Sequence, residues 1–144
     1  MARGHWLVKS EPDTYSWDAL VRDGSTRWDG VRNPQARNHL EAMGKGDLVL
    51  FYHSGGAREV VGVARVTRAH YADPTSDDAR WLAVDLAPVR ALKEPVPLTR
   101  IKAEPALRGI ALVRQARLSV MPLERDAFER ILRMGATALP RRAA

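Results

Sequence analysis

The segment Asp47-Leu-Val-Leu-Phe-Tyr-His53 is apolar on both of its faces, not on alternate residues. A strand written that way has to be covered from both sides, as happens inside a barrel or a sandwich. The segments after it agree. Ser54-Gly-Gly-Ala57 reads as a turn. Glu59 to Arg68 is a Val-rich strand in which Gly62 marks a bulge or a close approach. Residues 72–78 form a polar loop containing Pro74. Trp81 to Val89 then alternates, with Leu82, Val84 and Leu86 on one side, until Pro95 and Pro97 break the pattern.

The two ends of the chain read differently. His5 to Lys9 is a first strand, with Trp6 and Val8 facing one way, stopped by Pro12. Ser16 caps a short helix with Asp18 in its first turn and Gly24 past its end. Asn33 is an N-cap for a second helix, with Pro34 at its first position and Ala36, Leu40 and Met43 as its apolar stripe. Thr99 to Ala103 is a short helix and Pro105 to Leu107 a further turn. Leu118 and Val120 belong to a short strand ended by Pro122. Glu124 to Arg133 is an amphipathic helix with Ala127, Phe128, Ile131 and Leu132 on its buried side. Strands in the middle and helices at both ends make an α+β chain: a small closed β-barrel of about five strands with flanking short helices. One domain over residues 1–135 is expected, followed by a disordered basic tail over 136–144.

Composition excludes several classes of function. No run of eighteen apolar residues exists, so no membrane helix is expected, and the N-terminus lacks the apolar stretch of a signal peptide. The absence of cysteine removes disulfides, thiol catalysis and Cys-based zinc sites, and fits a cytoplasmic protein. The formal charge is +6, with nineteen Arg to four Lys. A basic surface attracts nucleic acid or an acidic partner, although an Arg excess is also what genomic base composition produces. Arg141 and Arg142 sit in the Ala-rich tail, and without them the charge is about +4.

Four segments place unusual side chains away from core periodicity: Lys9 to Pro12, Trp28 to Asn38, Phe51 to Ser54, and Val113 to Pro122. In the second, an aromatic, a Gly, two Arg and two Asn fall within eleven residues. Asn offers an acceptor and two donors, and Arg a rigid fork of donors; these read the edge and backbone of a nucleotide. Strand ends and the loops after them are where barrels place binding sites. If these ends converge, Trp28, Phe51 and Tyr52 wall a pocket whose polar lining comes from Ser10, Glu11, Asn33, His53, Ser54 and Ser119. Such a pocket suits a planar base removed from its stack. Each piece has a plainer reading: Trp28 and Phe51 as core, Glu11 as a cap on a backbone N–H, His53 as a packed partial-core histidine, and the Arg side chains paired with Asp29 and Glu41. Ser10, Ser54 and Ser119 lack a Gly-x-Ser-x-Gly context, and the four His show no metal-ligand spacing. Neither a catalytic residue, a metal nor a cofactor is expected. An enzyme using Glu11 or His53 as acid or base, and a metabolite sensor using the same pocket, stand as alternatives.

The segments Trp6-Leu-Val-Lys-Ser-Glu-Pro-Asp13, Trp28-Asp-Gly-Val-Arg-Asn33, Gln35-Ala-Arg-Asn38, Gly46 to Ser54, Gly62-Val-Ala64, Val84-Asp-Leu86 and Val113 to Pro122 resemble, in this order, the EVE domain of the PUA-like superfamily. The resemblance runs from His5 to about Met134. It implies a PUA-like barrel that reads nucleic acid and is not an enzyme, with modified cytosine in DNA or a modified base in RNA as the ligand. It implies a base pocket built from Lys9, Ser10, Glu11, Pro12, Trp28, Gly30, Val31, Arg32, Asn33, Phe51, Tyr52, His53 and Ser54, with Leu118 and Ser119 close by. Arg37, Arg114 and Arg117 are the expected phosphate contacts. The partner is nucleic acid, no membrane is involved, and the chain is a monomer or a weak homodimer. Asn33 carries two duties in this reading, helix cap and base contact.

Overall fold

The computed structural model describes residues 4–139. Six strands form one sheet: β1 (His5–Ser10), β2 (Thr26–Trp28), β3 (Leu48–His53), β4 (Glu59–Ala72), β5 (Leu82–Pro97) and β6 (Val120–Pro122). Their order is β2-β5-β4-β3-β1-β6. Five helices flank them: α1 (Trp17–Asp23), α2 (Pro34–Ala42), α3 (Leu98–Ala103), α4 (Ala111–Arg114) and α5 (Arg125–Met134), with a 3₁₀ turn at Pro105–Leu107. The sheet curls into a half-barrel of the PUA-like kind. β2 and β6 are its two ends, and no ladder joins them among the described residues.

β3 is the strand whose composition demanded cover on both faces, and Leu48 to Tyr52 are all buried. It lies between β1, parallel to it, and β4, antiparallel to it. The parallel pairing matters for function because it brings Ser10 beside His53, so both strands end at one rim of the sheet. The expected kink at Gly62 is present: the β4 register shifts between Val60 and Gly62, and a Cβ on Gly62 would lie 2.6 Å from the Trp17 ring. Trp17 therefore lies flat over backbone, a contact only glycine permits.

Three elements differ from the sequence reading. β2 is a short edge strand where the sequence assigns no element, because three residues carry no readable period. β5 continues to Pro97 although Pro95 and Pro97 were expected to end it. Pro95 falls in the irregular stretch between the Ala91 and Val96 pairings, where no ladder N–H is required of it. α4 was not anticipated, being a single turn. The caps, in contrast, are as read. Ser16 Oγ accepts from the Ala19 N–H at 3.0 Å, Gly24 takes a φ of 78°, and Asn33 Oδ1 accepts from the Ala36 N–H at 2.9 Å. Thr137 and Ala138 of the expected tail are bonded to β5: the Lys93 N–H donates to Thr137 Oγ1 and Arg90 donates to the Ala138 carbonyl. Arg141 and Arg142 lie outside the described residues. Among the described residues no helix is long and apolar enough to cross a membrane.

Candidate functional site

A cavity of about 840 Å³ opens where the two ends of the half-barrel fail to meet. One wall is the end of β1 and the turn after it: Lys9, Ser10, Glu11, Thr14 and Tyr15. The opposite wall is edge strand β2 with the loop into α2, from Thr26 to Pro34, and Ser119 closes one side. Its size is in the range of a small-molecule or nucleoside pocket, roughly 300–1,000 Å³.

Trp28 supplies the aromatic surface. It is half-buried on β2, opposite Val84, and meets the fully buried Phe51 ring edge-on at 5.5 Å between centroids. Phe51 in turn meets Trp17 at 5.6 Å and His53 at 5.7 Å. Trp28 thus keeps its orientation through a buried aromatic cluster while part of its surface stays accessible, which is what a stacking platform needs.

The loop from Asp29 to Asn33 is held from beneath by Asp73, which is 1% exposed and the only buried charged residue among those described. Its carboxylate accepts the Gly30 N–H at 2.8 Å, Arg32 Nη1 at 2.9 Å, the Thr75 N–H at 2.8 Å and the Thr75 hydroxyl at 2.6 Å. Burial alone would raise the Asp73 carboxyl, but the bonds from Thr75, Arg32 and Gly30 outweigh it and hold the group well below the usual carboxylate range. Gly30 reaches this bond with φ 76°, in the left-handed region. Sequence reading missed Asp73 because it lies in a loop that shows only polarity. The available signal was Asp-Pro-Thr, the short-range pattern in which an Asp side chain bonds backbone two residues on.

The β1 wall is organised by its own bonds. Ser10 Oγ donates to the Tyr15 carbonyl at 2.6 Å, and the Glu11 carbonyl, not its carboxylate, accepts the Thr14 and Tyr15 N–H groups. That leaves the exposed Glu11 side chain without a bond to a described residue. The Tyr15 hydroxyl donates to Asp23 at 2.9 Å. The Lys9 N–H donates to the Ser119 carbonyl at 2.9 Å, which brings Ser119 to the cavity. The two polar atoms of the Asn33 side chain differ in their use. Oδ1 is spent on the α2 cap, while the amide nitrogen has no partner among the described residues and lies on an exposed side chain at the cavity.

Of the expected pocket residues, Lys9, Ser10, Glu11, Trp28, Gly30, Val31, Arg32, Asn33 and Ser119 line this cavity. Pro12 does not. Phe51 is 0% exposed and stands behind Trp28. His53 faces α1, where its Nε2 accepts the Trp17 N–H at 3.0 Å; burial holds this ring below its usual pKa, against Glu59 and Asp18. Tyr52 and Ser54 line a separate cavity of about 290 Å³, and Leu118 is buried beside a third, of about 370 Å³, lined also by Asn33 and Arg117. Thr14, Tyr15, Thr26, Arg27, Asp29 and Pro34 line the main cavity without having been expected there. The place of Thr26, Arg27 and Asp29 depends on β2 being a strand, which the sequence did not reveal, while Thr14 and Tyr15 come from the turn after β1 and Pro34 from the start of α2. Of the expected phosphate contacts, Arg37 is engaged by the Arg80 carbonyl at 2.8 Å and by Glu41 at 3.2 Å. Arg114 and Arg117 are exposed and make no ion pair with a described residue. Arg32 serves the loop more than the solvent, bonded to Asp73 and lying 5.7 Å from the Trp81 ring centroid.

A model of the EVE domain matches residues 4–134. The chain belongs to the EVE domain family. This EVE domain is 33% identical to human thymocyte nuclear protein 1 over 162 residues, which span 89% of the chain and 72% of that relative. A crystal structure of the human protein in complex with DNA containing 5-methylcytosine matches it with a TM-score of 0.86 at 32% identity, over 94% of this chain and 99% of that one. A protein of Agrobacterium tumefaciens matches with a TM-score of 0.92 at 40% identity, over 95% and 96% of the two chains. The YTH domain of a Zygosaccharomyces rouxii protein, solved with N6-methyladenosine RNA, shares the fold alone, with a TM-score of 0.60 at 14% identity over 96% and 89%.

Proposed function

We propose that this EVE domain is a reader of a modified base, carried on DNA or RNA, that turns out of its strand into the cavity between β1 and β2. The observation that carries this reading is the pairing of Trp28 with Asn33 at one cavity: a braced aromatic face beside an amide whose donors are unspent. A base bound there stacks on Trp28, gains roughly 1–3 kcal/mol from that contact, and presents its edge to the Asn33 amide, Glu11 and Ser119. Modified cytosine is the first candidate, since the human relative was crystallised with 5-methylcytosine DNA. Arg114 and Arg117, exposed and without an ion pair to a described residue, are the side chains we assign to flanking phosphates.

The domain acts by binding, not by turnover. His53, the candidate base, is supported in a structural role by the Trp17 N–H on its Nε2. A nucleic-acid ligand also puts the site of action inside the cell, as one domain working as a monomer or weak homodimer. The test is a binding array of oligonucleotides with single modified bases, in DNA and RNA. One modification bound at least about tenfold more tightly than its unmodified parent supports the reading; equal affinity across the array overturns it.

A further inference from the structure

The second cavity, of about 290 Å³, is lined by Lys9, Tyr52, Ser54, Gly55, Arg58, Leu98, Leu112 and Ala116. Two of these are cations, two carry hydroxyls, and none is acidic. The Lys9 ammonium is held by the Ala116 carbonyl at 2.8 Å and lies 5.9 Å from the Tyr52 ring centroid. Arg58 makes no ion pair with a described residue.

Two features make this more than a basic dent. The Tyr52 ring is buried, but its hydroxyl reaches solvent at the cavity and makes no hydrogen bond to a described residue. A phenol so placed keeps its donor free for a ligand. Arg58 has a φ of 51°, in the left-handed region that a non-glycine residue rarely adopts. It follows Gly55 and Gly56 at 61° and 64°, and its carbonyl is pinned by the Leu98 N–H at 2.9 Å. The chain tolerates arginine where its own preceding pattern is glycine, in a turn that brings the side chain to the cavity.

We propose that this cavity binds a phosphate group, with Arg58 and Lys9 supplying charge and the Tyr52 and Ser54 hydroxyls supplying donors. The proposal rests on the reader function for its source of phosphate, a backbone group of the strand whose base is held next door. Lys9 lines both cavities, and the Ser54 N–H donates to the Ser10 carbonyl at 2.9 Å, so the two sites share the rim where β1 and β3 end.

Two measurements separate the site from the reader function. Inorganic phosphate is titrated into the full chain while the amide shifts of Ser54, Gly55 and Arg58 are followed by NMR. Saturable shifts that disappear in Arg58→Gly and weaken in Tyr52→Phe are expected; Arg58→Gly relieves the left-handed strain and keeps the fold, and Arg58→Lys restores part of the binding. Absence of saturable shifts in the wild type overturns the phosphate site. In the second measurement, an oligonucleotide with one 5-methylcytosine and its unmethylated parent are bound over a salt series. Arg58→Gly should weaken both by the same factor and reduce the salt slope by about 0.9. Phosphate shifts together with an unchanged oligonucleotide slope overturn the strand as the source. Failure of the wild type to bind any oligonucleotide, with the phosphate shifts intact, overturns the reader function and leaves a free phosphate as the ligand.

Discussion

The Asp73 carboxylate accepts the Gly30 N–H at 2.8 Å, across forty-three residues of sequence. This bond ties the loop that forms one wall of the main cavity to the turn between β4 and β5. With the Arg32 and Thr75 bonds it satisfies a charge that would otherwise be buried and unpaired. Asp73→Ala removes the anchor and leaves the Arg32 guanidinium and Gly30 N–H without it. Breaking such a pair costs on the order of 3 kcal/mol. Thermal denaturation should show a lowered Tm, and ligand affinity should fall with it.

The same group sets an acid limit. Its folded pKa is depressed, so its contribution is present above the unfolded value, about 3.9, and is lost as pH falls below that. A urea midpoint measured from pH 5 down to pH 3 should drop more in the wild type than in Asp73→Asn.

His53 governs a higher window. It accepts the Trp17 N–H only when its Nε2 is unprotonated, and its folded pKa lies below the unfolded value of about 6.5. The unfolded chain therefore takes up the proton first, and stability falls as pH drops below about 6.5. His39 is lowered by burial as well and contributes to the same loss. The fall in Tm between pH 7.5 and pH 5.5 should shrink in His53→Gln and shrink further when His39→Gln is added. An unaltered fall would remove His53 from this role.

Much of this design was legible in the sequence, for identifiable reasons. Caps act within four residues, so Ser16, Asn33 and Gly24 announce themselves locally, and Gly62 stands out inside a Val-rich strand. The unbroken apolar run of β3 required cover on both faces and received it. What escaped depends on partners far along the chain. β2 is three residues long and exists because β5 pairs with it. Asp73 is a loop aspartate until Gly30 and Arg32 arrive above it. Phe51 to Ser54 all follow from the end of β3, yet they divide among the core, α1 and the second cavity, because alternate residues of a strand face opposite sides.

Gly62→Ala tests the packing beneath the site. The added Cβ would lie 2.6 Å from three carbons of the Trp17 ring. Displacing that ring disturbs the Trp17–Phe51–Trp28 cluster, and overpacking of this kind costs about 1–3 kcal/mol. Calorimetry should record the loss, with weaker ligand binding as a secondary effect.

The two duties of Asn33 separate by substitution. Asn33→Ser keeps an oxygen for the Ala36 N–H and removes the amide donors, so Tm should hold while affinity for the modified base falls. Asn33→Ala should lower both, the cap alone accounting for about 1 kcal/mol. Equal affinity in wild type and Asn33→Ser would confine the residue to capping.

The most direct measurement is the ratio of affinities for a 5-methylcytosine oligonucleotide and its unmethylated parent, by fluorescence anisotropy, in wild type and Trp28→Ala. If the modified base stacks on Trp28, the wild type prefers the methylated strand, and Trp28→Ala loses most of that preference while circular dichroism shows the fold retained. A folded Trp28→Ala protein with the wild-type ratio would contradict the base site between β1 and β2.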